Sequence, residues 1–419
     1  MSSAIGIVGF GFSGLMVLAN LLRRGVDATI YVIDPALTAR GVAYSTPYPQ
    51  HLLNVRAGNM GAWADHIGDF ADWLAQHHPA LGAQDFAPRM LYGDYLETLW
   101  QDAQKEAAAK RIMVKLVPAQ AVAVTRHGEG FSLMTERGDA IALDTLILAT
   151  GNEMKPMAAP VDAPMLQHPW APGALTEAAT SAGPILLLGT GLTAVDMILG
   201  LRAEGYAGQI LVYSRRGLFP QPHRDDVTPA RFDAMDITRV QGAKQWLRWV
   251  HNQARAAEDW RSVIDALRPH TQRIWQQWPS AEQQRFLRRL LSFWNVHRHR
   301  MAPQIAAQIA EEKLAGRLRH VRRAELAKYA PSLVINCTGP ELDIRQSRQP
   351  LLKPLLAEGM IEPHATGLGL AADAKCRAWG SAYPNLYAIG ALLTGQLLES
   401  TAVPELRVEA ATIAETLCR

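Results

Sequence analysis

A pattern of roughly thirty residues that occurs twice constrains this chain more than any other feature. Residues 4–34 read AIGIVGFGFSGLMVLANLLRRGVDATIYVID, and residues 184–214 read PILLLGTGLTAVDMILGLRAEGYAGQILVYS. Each begins with an apolar run of strand type and turns at G-x-G-x-x-(G/A). Each continues through an apolar helix to a glycine (Gly25; Gly205 and Gly208) and ends in a second β-rich run. Gly9 lies 25 residues before Asp34, and Gly189 lies 25 residues before Ser214. The first glycine of such a turn permits a tight bend. The second lets backbone approach a pyrophosphate, and the third (Gly14, or Ala194) lets helix and strand pack closely. A pyrophosphate then lies at the positive end of the helix, against unpaired N–H groups.

The copies differ where an adenosine ribose would lie. The first ends in Ile33-Asp34, whose carboxylate can accept ribose hydroxyl protons and would repel a 2′-phosphate. The second ends in Ser214-Arg215-Arg216, with paired guanidinium groups suited to a 2′-phosphate. FAD is therefore expected at the first site and NADPH at the second, with NADH an alternative. An exposed turn with solvated charges is the other reading of Arg215 and Arg216. Gly9, Gly11, Phe12, Ser13, Gly14, Asp34 and Pro35 make up the first nucleotide contact. Gly189, Gly191, Leu192, Thr193, Ser214, Arg215 and Arg216 make up the second.

The bulk numbers agree with a globular chain of two domains. There are 419 residues, 48% apolar and 19% charged. A formal net charge of +3 gives no electrostatic case for nucleic acid or membrane partners. Cys337, Cys376 and Cys418 are far apart and odd in number, which excludes a C-x-x-C pair and fits a reducing, cytoplasmic setting. No apolar run reaches the length of a membrane span, and the first apolar run leads into a glycine turn rather than a cleavage site.

Further segments resemble flavoproteins with two dinucleotide-binding domains. Leu146-Ile147-Leu148-Ala149-Thr150-Gly151 is similar to the strand end at which such chains leave the FAD domain, and Leu333-Val334-Ile335-Asn336-Cys337-Thr338-Gly339-Pro340 to its counterpart on return. Asn385-Leu386-Tyr387-Ala388-Ile389-Gly390 resembles the late strand whose glycine approaches the ribityl chain. Ala391 replaces the acid that often follows. The whole chain resembles bacterial FAD/NAD(P)-binding proteins distantly related to flavin-dependent monooxygenases of the N-hydroxylating type. The strings are Gly41-Val42-Ala43-Tyr44-Ser45, His51-Leu52-Leu53-Asn54-Val55, Pro88-Arg89-Met90-Leu91-Tyr92-Gly93, Gly189-Thr190-Gly191-Leu192-Thr193-Ala194-Val195-Asp196, Val296-His297-Arg298-His299-Arg300 and Glu399-Ser400-Thr401-Ala402-Val403-Pro404-Glu405.

The resemblance implies an α/β chain of two Rossmann-like domains. The FAD domain would comprise 1–155 and 331–419. The NAD(P) domain would occupy 156–330, with a helical insertion at about 240–320. That insertion holds six of the eleven tryptophans, read as core more than as a ligand platform. Pro156, Pro160, Pro164, Pro169 and Pro172 crowd the first crossing, as a non-helical linker requires. Asn54, Asn59, Met60 and Trp63 would pass beside the flavin ring, although Trp63, Phe70, Trp73 and Leu74 equally fit a buried helix stripe. Arg40 would reach the FAD pyrophosphate or decorate a loop. Val122, Ala149, Thr150, Gly151 and Gly390 would complete the FAD site. Ser400 or Thr401 would cap a last helix aimed at the flavin, with Pro404 in its first turn. His299, within His297-Arg298-His299-Arg300, would line the site for an anion; a metal there is disfavoured for want of a third ligand.

The expected activity is an NADPH-dependent flavin monooxygenase using molecular oxygen on a small nucleophilic substrate. The alternatives are a reductase passing electrons to a quinone or protein, and a non-catalytic flavin-binding redox sensor. Oligomeric state is not encoded legibly.

Overall fold

The computed structural model of the protein describes residues 3–225, 227–232, 240–379 and 385–419. The chain forms two compact units. One comprises Met1–Pro47, Val55–Glu153 and Glu341–Arg419, and the other Tyr48–Asn54 and Met154–Pro340. Each is built on a five-stranded parallel sheet, and the chain as a whole is an α/β fold with two Rossmann-like sheets.

In the first unit the strand order is Leu386–Ala388, Thr145–Leu148, Ser3–Val8, Ala28–Ile33, Val114–Val117. The central Ser3–Val8 strand pairs in register with Ala28–Ile33 on one side and with Thr145–Leu148 on the other. Its residues are buried from Ile5 onward, as expected of a strand covered on both faces by crossover helices. The helix Phe12–Arg24 connects the first two strands and buries Leu15, Leu18, Leu21 and Leu22 completely. It ends at Gly25, whose φ of 71° closes the helix in the left-handed conformation that glycine adopts without penalty. The final helix, Val403–Leu417, packs alongside it. A three-stranded antiparallel sheet, Ala121–His127, Gly130–Thr135 and Ala140–Leu143, completes the unit.

The second unit repeats the plan with the order Leu318–His320, Ile210–Tyr213, Ile185–Leu188, Leu333–Asn336, Met165–Leu166. The helix Leu192–Ala203 follows its central strand. Between the strands ending at Tyr213 and beginning at Leu318 come the helices Ala243–Ala256, Trp260–Leu267, Thr271–Gln277, Ser280–Arg289, Leu291–Arg298 and Pro303–Leu314. Trp246 anchors an aromatic cluster with edge contacts to Trp294 at 5.1 Å, Phe286 at 5.4 Å and Trp278 at 6.3 Å. Edge-to-face pairs of this kind each contribute about 0.5–1.5 kcal/mol beyond burial. Trp246, Trp275, Trp278 and Trp294 are buried, so they serve as core.

Two sequence expectations need correction here. Leu333–Asn336 was placed in the first domain, but it pairs with Ile185–Leu188 and so belongs to the second sheet; the return crossing falls at Pro340/Glu341. Tyr48–Asn54 also clusters with the second unit, so Asn54 is assigned there and not to the first. Phe70, Trp73 and Leu74 form the buried face of the helix Asp69–His77, whereas Trp63 precedes that helix and carries Arg23 over its ring at 5.0 Å.

Candidate cofactor sites

The turn after Ser3–Val8 is fixed by its neighbours on both sides. Gly9 N–H donates to Ile33 O at 2.9 Å, and Ala149 N–H donates to Val8 O at 2.8 Å. Gly9 has φ +102°, and a Cβ there would lie 2.2 Å from Ala149 O. No other residue fits, because both the conformation and the space exclude a side chain. A Cβ on Gly14 would lie 2.0 Å from Gly9 O, so that glycine permits the close approach of helix to turn. Gly11 differs: its φ is −80°, and its neighbour is the Cα of Gly41, 3.3 Å from where a Cβ would be. No side chain caps the Phe12–Arg24 helix. Its first-turn N–H groups therefore lack a side-chain cap, beside two glycine backbones that approach closely, a geometry that suits a phosphate anion.

Asp34 organises this turn. Its Oδ2 accepts the Phe10 N–H at 2.8 Å, and its Oδ1 accepts those of Ala36 and Leu37 at 2.8 and 3.0 Å. A carboxylate has about four lone-pair positions, so capacity remains for a ribose hydroxyl. Pro35 is exposed beside it, and Val122 lies half-buried at the irregularity of its strand. Gly390, with φ +80°, would place a Cβ 3.4 Å from Ser13 Oγ. The C-terminal ends of three adjacent strands, at Gly9, Ala149-Thr150-Gly151 and Gly390, thus converge on the N-terminus of one helix. Thr150 contributes a buried hydroxyl without a hydrogen-bond partner among the described residues.

The second unit reproduces the cradle. Gly189 N–H donates to Tyr213 O at 2.8 Å, and Cys337 N–H donates to Leu188 O at 2.9 Å. Gly189 has φ +117°, with Cys337 O only 2.3 Å from a notional Cβ. Gly191 has φ −77° and nothing within 4 Å of its Cβ position, and the Leu192–Ala203 helix that follows lacks a side-chain cap. Leu192 and Thr193 are half-buried in its first turn. At the strand tip a hydroxyl replaces the carboxylate. Ser214 Oγ bonds Thr190 Oγ1 at 2.9 Å and accepts the Gly217 N–H at 3.0 Å. Arg215 and Arg216 are exposed, and the Arg216 guanidinium rests over Phe293 at 4.9 Å.

Several single-residue expectations resolve differently. Arg40 is taken up by Asp94 and Glu97, both at 2.5 Å, so its charge is already countered. The N-cap of the last helix is Ala402, without a side-chain cap. Ser400 instead donates to Gly390 O at 2.8 Å, and Thr401 is exposed. Pro404 does occupy the first turn. Met60 is buried, its carbonyl accepting Tyr92 Oη–H at 2.8 Å, while Asn59 is exposed. The structure places Met60 and Trp63 in the first unit but Asn54 and His299 in the second. The Asn54 carbonyl lies 3.1 Å from His223 Nε2, and His299 forms the C-cap of Leu291–Arg298. Among the described residues no group of three or more His, Cys, Asp or Glu is arranged to hold a metal, and no helix is long and apolar enough to cross a membrane.

Sequence reasoning missed Gly41, Thr190, Cys337 and Glu409. Thr190 was legible from the repeat, since it stands where Phe10 stands in the first copy, and Cys337 bonds Leu188 as Ala149 bonds Val8. Glu409 left a fainter signal, an acid in an otherwise apolar stretch of the last helix.

The residues present fit two dinucleotides, and the class this defines is the two-dinucleotide flavoprotein fold. Residues 6–153 match the model of an FAD-NAD(P)-binding family. No curated protein sequence matches the chain. The fold is similar to ornithine hydroxylase (PvdA) of Pseudomonas aeruginosa in its reduced form, with a TM-score of 0.62 and 16% identity over 100% of this chain and 99% of that one. It is similar to the Kutzneria sp. 744 ornithine N-hydroxylase KtzI, solved with reduced FAD, NADP+ and L-ornithine, with a TM-score of 0.64 and 13% identity over 100% and 99%. L-lysine 6-monooxygenase of Pseudomonas syringae gives a TM-score of 0.58 and 16% identity over the same shares.

Proposed function

We propose that the chain is an FAD-dependent, NADPH-using monooxygenase acting on a small nucleophilic substrate, with molecular oxygen as co-substrate. The observation that carries this reading is the pair of similar glycine cradles that differ at the tip of the following strand, Asp34 in the first and Ser214-Arg215-Arg216 in the second. The acid at the first disfavours a 2′-phosphate and the arginines at the second favour one, so the two sites take different nucleotides. FAD, when bound, supplies hydride acceptance and oxygen activation. In the first unit Gly9, Gly11 and Gly14 hold the diphosphate at the uncapped helix, Asp34 orients the ribose end, and Gly390 leaves room for the chain leading to the flavin ring. In the second unit Gly189, Gly191 and the Leu192–Ala203 helix hold the NADPH diphosphate, while Ser214, Arg215 and Arg216 select its phosphate. Cys337 and Cys376 are buried and burial raises both thiols, so neither is a poised thiolate; this favours oxygen transfer over disulfide reduction. A reducing cytoplasm fits these free cysteines.

The neighbours whose names specify ornithine and lysine direct the first substrate trials to primary amines. NADPH consumption is measured with ornithine, lysine, simple alkylamines and thioethers, alongside peroxide release. Substrate-stimulated NADPH oxidation with less than matching peroxide supports monooxygenation. Oxidation with full peroxide release for every nucleophile, but rapid turnover with a quinone, would replace it with a reductase.

A further inference from the structure

Glu409 lies two turns into the last helix and is 4% exposed. Its Oε2 accepts the Gly390 N–H at 3.0 Å, and its Oε1 is buried with no hydrogen-bond partner among the described residues. Ser400, itself fully buried, donates to Gly390 O at 2.8 Å and lies beside the same carboxyl. Glu409 and Ser400 thus clamp both backbone polar groups of the glycine that stands over Ser13, at the mouth of the first cradle. A carboxyl without full compensation in such a place is costly when charged.

We infer that Glu409 is a positioning residue of the flavin site that also exchanges a proton with solvent as the flavin changes redox state, a reading that rests on FAD occupying the first cradle. Hydride addition leaves the flavin one negative charge richer. A buried carboxylate nearby becomes harder to keep ionised and takes up H+ from solvent, with no bond made to the cofactor. The surroundings favour this response. Glu405, one turn earlier on the same helix, adds like charge, and the Cys376 thiol faces the carboxyl from the neighbouring loop with Asp373 behind it. Arg407 is directed to the Gly61 carbonyl at 2.9 Å, and the first helix carries its only cations, Arg23 and Arg24, in its last turn. Burial pushes the Glu409 carboxyl up to about 7, within reach of neutral pH.

The experiment uses the FAD-loaded protein. Its midpoint potential is followed spectroelectrochemically from pH 5.5 to 9, with proton uptake on dithionite reduction read by an indicator dye. Wild type should take up more protons per flavin near pH 7 to 8 than Glu409→Gln, giving a steeper section of the potential–pH line that the variant lacks. Ser400→Ala, which removes the hydroxyl beside the carboxyl that favours its charged form, should move that section to higher pH. Superimposable lines for wild type and Glu409→Gln overturn the inference. If Glu409→Gln does not fold, Ser400→Ala decides: a displaced section supports it and an unmoved one overturns it. A wild-type chain that binds no FAD refutes the flavin reading instead, which the absence of chromophore shows before any titration.

Discussion

Gly191→Ala separates a ligand-contact glycine from a folding glycine within one motif. Gly191 has φ −77° and ψ −171°, a conformation open to any residue, and no atom lies within 4 Å of its Cβ position. Alanine there removes backbone freedom from the unfolded chain, so stability should stay level or rise by about 0.5 kcal/mol. Two residues earlier, Gly189 combines φ +117° with a Cβ position 2.3 Å from Cys337 O. Gly189→Ala should therefore cost about 3 kcal/mol or more, combining left-handed strain with a forced separation of strands. If the space before Gly191 holds a pyrophosphate, a methyl there displaces it from the helix N-terminus. Losing one or two charge-assisted hydrogen bonds, at about 1.5–3 kcal/mol, corresponds to roughly a 10- to 100-fold rise in the NADPH dissociation constant. The assay pairs thermal melting with NADPH titration by fluorescence. Gly191→Ala that melts like wild type yet binds NADPH at least tenfold more weakly fits the account. Unchanged NADPH affinity in a folded Gly191→Ala protein would refute the placement of the nucleotide.

Three further outcomes are expected. Replacing Arg215 and Arg216 with Ala should weaken NADPH binding roughly 10- to 100-fold and leave NADH within about threefold, checked by steady-state kinetics with both nucleotides. Glu409→Gln should gain stability relative to wild type as pH rises, because the native carboxyl is held up to about 7 against an ordinary 4.5. The protonated form is the one the fold favours, so wild type holds its full stability below pH 4.5 and loses it progressively up to about pH 7. At 1.36 kcal/mol per pH unit, the difference should approach about 3 kcal/mol above pH 7, read from denaturant melts of the apoprotein at pH 5 and 8. Arg300→Met leaves Asp265 without its ion-pair partner in the helical insertion and removes a guanidinium that is 3% exposed; it should lower the apparent melting temperature while FAD remains bound, as seen by absorbance.

The cradles were legible in the sequence because their requirements are local. A glycine at φ +102° followed two and five residues later by others leaves few alternatives, and the second copy repeated the spacing. The position of the strand-tip residues was legible for the same reason, although the sequence did not announce that Asp34 holds the turn together through three backbone N–H groups. What the sequence hid was long-range. Nothing near Arg40 announces that Asp94 and Glu97, more than fifty residues on, will claim its guanidinium. The cap expected at Ser400 failed because the carbonyl of Gly390 offered that hydroxyl a buried acceptor ten residues earlier. Leu333–Asn336 reads as a generic apolar strand, and only its pairing with Ile185–Leu188 assigns it to the second sheet.

Anaerobic titration of the purified protein with NADPH tests the two-cradle account most directly. The account predicts a yellow protein holding one FAD per chain whose flavin absorbance near 450 nm, the usual band of an oxidised flavin, is bleached by about one equivalent of NADPH and less readily by NADH. A protein that carries FAD but is bleached by neither nucleotide would contradict it.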